Sequence, residues 1–126
     1  MSLRTPLSQA RGLGSAREGA GHFWWQRVTG AANLLLIGFV FYAAMNLAGA
    51  SYAAVKAFFA NPLWAVVVIM FAVSAAYHMQ LGMQVVIEDY IRKSGTKVVL
   101  LFLNMFFAIL VSLVCVLSVI KLSFGA

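Results

Sequence analysis

The chain has 126 residues; 63% are hydrophobic and only 10% are charged. A soluble domain carries about 25% charged residues and, at this size, could not keep so much apolar surface from water. The composition therefore describes a protein dissolved in lipid and excludes a disordered chain, a disulfide scaffold and a coiled coil.

Residues 1–21 form an N-terminal arm with Arg4, Arg11 and Arg17, and with Leu3, Leu7, Ala10 and Leu13 at loosely helical spacing. The arm has no apolar core of its own and does not read as a signal peptide. It is either a frayed surface segment or one that lies on the cytoplasmic face against a soluble partner. Phe23, Trp24 and Trp25 follow, in the pattern of interfacial anchors.

Three stretches then carry no charge: 28–55, 57–87 and 98–120. Each exceeds the roughly 20 residues that a helix needs to cross about 30 Å of hydrocarbon. In lipid every backbone polar group needs an internal partner, so these runs are predicted to be helices. Their expected bounds are 28–47, 63–87 and 98–120. Asn61-Pro62 supplies an N-cap and a first-position proline for the second helix. Ser94-Gly95 signals a turn, and Thr96 is the expected cap of the third. Cys115, the one cysteine, lies inside an apolar run, so no intrachain disulfide forms. The chain reads as one all-α membrane domain over 1–126, an arm (1–21) followed by a three-helix region (22–126).

Lys and Arg set the orientation. Arg4, Arg11, Arg17 and Arg27 precede the first span, and Arg92, Lys93 and Lys97 lie between the second and third. The opposite side has only Lys56 and Lys121. The positive-inside rule puts the N-terminus and second loop in the cytoplasm and the C-terminus outside. The net charge of +6 is thus a topology signal, and no nucleic acid is expected as a partner. The short arm favours a bacterial inner membrane; the alternative is a mitochondrial one, with the matrix as the equivalent side.

A histidine within a span is costly and is by default a functional hypothesis. His78 lies 11 residues before Asp89, which puts it roughly 16 Å below the cytoplasmic edge. At about 100° per residue, Phe71, Ser74, Ala75, Gly82, Val85 and Asp89 share its face. The small residues among them either allow close helix packing or leave room for a flat macrocycle whose metal His78 ligates. Met79 and Met83 point elsewhere and read as apolar filler. A second polar group gathers toward the cytoplasmic end: Arg27, Thr29, Asn33, Gln84, Asn104, Asp89 and Tyr90. It is either ordinary interfacial polarity or a pocket for an amphiphilic ligand.

The stretch His78-Met79-Gln80-Leu81-Gly82-Met83-Gln84-Val85-Val86-Ile87-Glu88-Asp89-Tyr90 resembles the signature of the succinate dehydrogenase hydrophobic membrane anchor family, one of the two membrane chains of complex II. That family shows a histidine, a glycine four residues on, and an Asp-Tyr pair 11 and 12 residues on, and all three match in spacing. Gly21-His22-Phe23-Trp24-Trp25-Gln26-Arg27-Val28-Thr29-Gly30 also resembles the family's start of helix one. Its Arg-Val-Thr-Gly element occurs in the larger cytochrome b subunit too, and the Asp-Tyr ending favours the hydrophobic membrane anchor of the two.

The resemblance implies that His78 is one axial ligand of a low-spin haem b, the other coming from a cytochrome b subunit. It implies that Tyr90 hydrogen-bonds ubiquinone with Asp89 in support. Arg27, and less strongly His22, would lie near the haem propionates or the quinone entrance. The chain would then anchor a flavoprotein subunit with FAD and an iron–sulfur subunit to the cytoplasmic face, and electrons from succinate would pass through iron–sulfur clusters to ubiquinone. Two alternatives stand beside this reading. One is a fumarate reductase-type anchor working in reverse. The other is a three-helix structural or transport subunit with no redox role.

Overall fold

The computed structural model describes residues 5–12 and 19–125, and among these there are helices and no strand. A short helix α1 (Pro6–Ala10) lies in the arm. Leu3, Leu13, Arg4 and Arg17 of the arm pattern lie outside the described residues. The remaining helices are α2 (Gly19–Leu47), α3 (Tyr52–Phe59), α4 (Pro62–Tyr90) and α5 (Ser94–Phe124). The helices α2, α4 and α5 are each long and apolar enough to cross a membrane.

Every span is longer than the helix expected from its charge-free run. Helix α2 begins at Gly19 rather than near position 28, so His22, the aromatic trio and Arg27 are all helical. Its 29 residues reach roughly 43 Å, well beyond about 30 Å of hydrocarbon. The absence of charge marks the lipid-facing stretch, whereas a helix continues until its backbone is turned. Arg27 is accommodated within it by lying over the Phe23 ring, 4.3 Å from guanidinium carbon to ring centroid. The helix stops where Gly49 takes a positive φ of 75°, a conformation open to glycine.

The first loop contains an element the charge pattern did not signal. Ser51 caps α3, its hydroxyl accepting from the Ala54 N–H at 3.3 Å. Phe58 of α3 stacks on Trp64 of α4, centroids 4.9 Å apart, and Tyr42 of α2 stacks on the same indole at 5.7 Å. One tryptophan thereby ties three helices at this end.

The start of α4 is as expected, with the Asn61 side chain accepting from the Leu63 N–H at 3.0 Å and Pro62 in the first turn. The second loop differs. The chain turns over Ile91–Lys93, and Ser94, Gly95 and Thr96 already form the first turn of α5. Thr96 is therefore inside the helix, not its cap; Lys93 holds the cap position with no side-chain bond. Serine and glycine are both tolerated in a first turn, where N–H groups have no helical partner to lose. Helix α5 ends at Gly125, in the left-handed region, with Lys56 of α3 against it. A cation there suits the negative end of the helix dipole.

Helix α4 is central: α2 and α5 both pack on it, and α3 packs on α5 and α4. The buried residues are mostly small, among them Ala43, Ala65, Ala76 and Ala108. Small contact residues let the backbones approach. The large apolar side chains point outward, Leu34, Phe106 and Leu117 among them. Such a surface belongs in lipid or against other membrane helices.

Candidate functional site

Helices α2 and α4 meet along two facing stripes. On α2, His22, Gln26, Thr29 and Asn33 recur at helical spacing; on α4, Ser74, His78 and Gly82 do. The helices run antiparallel, so Gly82 meets Gln26 while His78 meets Thr29 and Gly30. A polar seam thus runs through an otherwise apolar interface.

His78 is the centre of the seam. Its Nδ1 lies 3.0 Å from the Thr29 hydroxyl oxygen, and its Nε2 lies 3.5 Å from the Gln26 side-chain nitrogen. Thr29 is buried, and its hydroxyl also lies 2.7 Å from the Trp25 carbonyl oxygen one turn back. Gly30 makes room for the ring: a Cβ there would stand 3.2 Å from the imidazole Cε1. At Gly82 the fit is looser: an added Cβ would stand 3.5 Å from the Gln26 side-chain nitrogen, an ordinary contact.

Four side-chain atoms in and beside the seam are buried without a hydrogen-bond partner among the described residues: His22 Nε2, Gln26 Oε1, Asn33 Oδ1 and Ser74 Oγ. Buried polar groups are almost always paired. All four lie on the two facing stripes, so the polar groups of this interface are only partly paired with one another. At the Gly82 end the seam opens into a cavity of about 600 Å³, lined by His22, Phe23, Gln26, Arg27, Val85 and Glu88 among others. Arg27 and His22 therefore sit in one cleft.

The other polar residues do not converge there. The Asn104 side-chain N–H donates to the Gln80 carbonyl at 2.9 Å, tying α5 to α4 on the far face. Gln84 bridges Gln80 and Glu88 along α4, at 3.3 and 2.8 Å. Lys97 donates to the Glu88 carbonyl at 2.8 Å and closes the second loop. The single polar cluster expected from depth is instead spread around α4, because depth along a helix says nothing about which face a residue occupies. Thr29 is also level with His78 rather than shallower, since it touches the imidazole.

Tyr90 belongs to the second side. It is 79% exposed at the end of α4 and lines an apolar cavity of about 580 Å³ between α4 and α5, with Met83, Ile87, Leu103, Asn104 and Phe107. Met79 also lines that cavity, so both methionines face away from His78, as the helical wheel predicts. Asp89 is exposed. Gln26, Thr29 and Gly30 are the partners of His78 that the pattern of α4 alone does not reveal. The signal available for them is the spacing of the α2 stripe, which points His22, Gln26, Thr29 and Asn33 one way.

A family model described as succinate dehydrogenase/fumarate reductase transmembrane subunit matches residues 1–120. The chain belongs to that family. It is 28% identical over 126 residues to the succinate dehydrogenase hydrophobic membrane anchor subunit of Paracoccus denitrificans, covering 100% of this chain and 97% of that protein. The protein of the same name from Rickettsia bellii is 28% identical over 108 residues, 86% of each chain. That from Rickettsia typhi is 27% identical over 118 residues, 94% of this chain and 89% of the relative. No solved structure matches significantly. The family expected from the His…Gly…Asp-Tyr string is thus the one found.

Proposed function

We propose that this chain is the membrane anchor subunit of a succinate–quinone oxidoreductase of a bacterial inner membrane. It holds a flavoprotein and an iron–sulfur subunit on the side of its N-terminus, the cytoplasm, and pairs in the membrane with a cytochrome b subunit. The observation that carries the reading is His78: a mid-span imidazole whose two nitrogens meet a polar seam, beside which four buried polar atoms lack partners among the described residues.

The residues fit a haem b shared with the partner subunit. His78 would supply one axial ligand, and the partner subunit the other. Haem iron, with four ligands from its macrocycle, asks for that. His78 Nε2 meets the Gln26 side chain, which also lies against Gly82, and ligation would require that side chain to swing aside. His22 and Arg27 line the adjoining cleft, and a guanidinium there suits a propionate. When bound, the haem would supply a one-electron store. This chain's part is to ligate and orient it and to exclude water from it.

Tyr90 is the proposed ubiquinone contact. Its hydroxyl donates to a quinone oxygen as negative charge develops on reduction, and its cavity is apolar enough for the ring. Asp89 supports it at the helix end. The chain holds no complete active site; succinate oxidation belongs to the flavoprotein.

The test is to purify the assembled complex from membranes and record its reduced-minus-oxidised spectrum and its succinate:ubiquinone activity. Four co-purifying subunits, a low-spin b-type spectrum and quinone reduction are expected. A complex with no b-type spectrum removes His78 as a ligand. A complex that reduces fumarate with a low-potential quinol, and not the reverse, assigns the opposite direction.

A further inference from the structure

We propose that Thr29 is a positioning residue that fixes the tautomer of His78, so that Nε2 is the nitrogen offered to iron and Nδ1 carries the proton. The inference rests on the reading of His78 as a haem ligand.

Thr29 has one hydroxyl proton to give. Its Oγ1 lies 2.7 Å from the Trp25 carbonyl oxygen and 3.3 Å from that of Gln26. A carbonyl only accepts, so the hydroxyl donates, and at 2.7 Å it donates to Trp25. Thr29 Oγ1 is then left as an acceptor. His78 Nδ1 sits 3.0 Å from it, and the contact is satisfied when Nδ1–H donates to Thr29. A neutral imidazole carries one proton, so Nε2 has the free lone pair. The polar contact at Nε2 agrees: the Gln26 amide nitrogen, a donor, lies 3.5 Å from it. Burial of Thr29 keeps water from competing for its oxygen. Gly30 leaves room for the ring edge at Cε1, where a Cβ would stand 3.2 Å away.

A metal at Nε2 would meet a ring already oriented, because α2 holds both its position and its proton. Donation from Nδ1–H also raises electron density on the imidazole, which favours the ferric form of the iron it ligates. Thr29 therefore lowers the reduction potential of the haem, without touching it.

The experiment compares Thr29→Val, Thr29→Ala and Thr29→Ser in the assembled membrane complex, by redox titration of the b-type absorbance and by low-temperature electron paramagnetic resonance. Valine keeps the shape and removes the hydroxyl; serine keeps the hydroxyl and removes the methyl. Expected is a shift to more positive potential and a changed low-spin signal in the valine and alanine variants, with serine close to wild type. Wild-type potential in Thr29→Val overturns the proposal, as does an equal shift in Thr29→Ser, which would assign the effect to packing. Loss of the complex in both hydroxyl-free variants, with serine assembling, also overturns it, because the hydroxyl would then serve helix association. If the wild-type complex shows no His78-dependent low-spin spectrum, the haem reading itself fails and the proposal falls with it, an outcome visible before any Thr29 variant is made.

Discussion

Gly30 of α2 lies against the imidazole of His78 on α4, so close that a Cβ on the glycine would stand 3.2 Å from Cε1. This contact sets how near the two helices come at the candidate ligand. Alanine at position 30 gains about 1 kcal/mol of helix propensity over glycine, but the ring must yield by a few tenths of an ångström. We expect Gly30→Ala to assemble with near-normal thermal stability and an altered b-type spectrum. Gly30→Val, with two more methyls aimed at the ring, is expected to lose the spectrum. An unaltered spectrum in Gly30→Val would mean that the ring does not rest on α2.

His78 and His22 make a matched pair of tests, since both have a nitrogen directed into the seam or its cleft. His78→Ala is expected to abolish or change the low-spin b-type signature, while His22→Ala largely keeps it. Axial coordination read by magnetic resonance is the deciding measurement, because a substituted complex can retain haem through another ligand. An unchanged bis-histidine signature in His78→Ala would end the assignment.

Tyr90→Phe removes one hydroxyl and leaves the ring at the rim of the α4–α5 cavity. Loss of a hydrogen bond to a ligand gaining charge is worth about 1.5–3 kcal/mol, or roughly 10- to 150-fold in quinone reduction. Electron transfer from succinate to an artificial acceptor that intercepts electrons before the membrane should be unchanged. Equal activity of variant and wild type in both assays would reduce Tyr90 to an interfacial anchor.

Asn104 carries the side-chain bond from α5 to the α4 backbone, and it is 9% exposed. Asn104→Leu keeps the volume and deletes the bond. Interhelical hydrogen bonds in membranes average about 0.6 kcal/mol, so a fall in the unfolding temperature of a few degrees is expected in detergent, with the b-type spectrum intact. A spectral change would place Asn104 in contact with the seam on the opposite face of α4, against the geometry.

For topology, a C-terminal reporter active only outside the cytoplasm is expected. Reporter activity in the cytoplasm would invert the chain and put Tyr90 and the His22–Arg27 cleft on the opposite side of the membrane.

The sequence determined the parts of this protein that depend on local chemistry. Runs without charge located the three spans, because lipid penalises each charge wherever the rest of the chain lies. Asn61-Pro62 announced the start of α4 because a cap acts on its own turn. The spacing of Gly82 and the Asp-Tyr pair from His78 is linear information, and it led to the family. Helix ends were less legible: Arg27 reads as a boundary until Phe23 is seen beneath it, and Ser94-Gly95 reads as a turn although the chain has already turned over Ile91–Lys93.

Only the tertiary structure decided which polar residues meet. Charge and hydropathy report how deep a residue lies in the membrane; they do not report which face of its helix turns toward which neighbour. Arg27, Thr29, Asn33, Gln84, Asn104 and Tyr90 could share a depth, yet α4 divides them, with Thr29 at the His78 seam and Asn104 and Tyr90 at the other cavity. The antiparallel docking of α2 on α4 is what brings Thr29 to Nδ1 and Gln26 to Nε2, 49 and 52 residues away in the chain. Gly30, where an added Cβ would crowd the imidazole, fits that register, a property of two helices together and of neither alone.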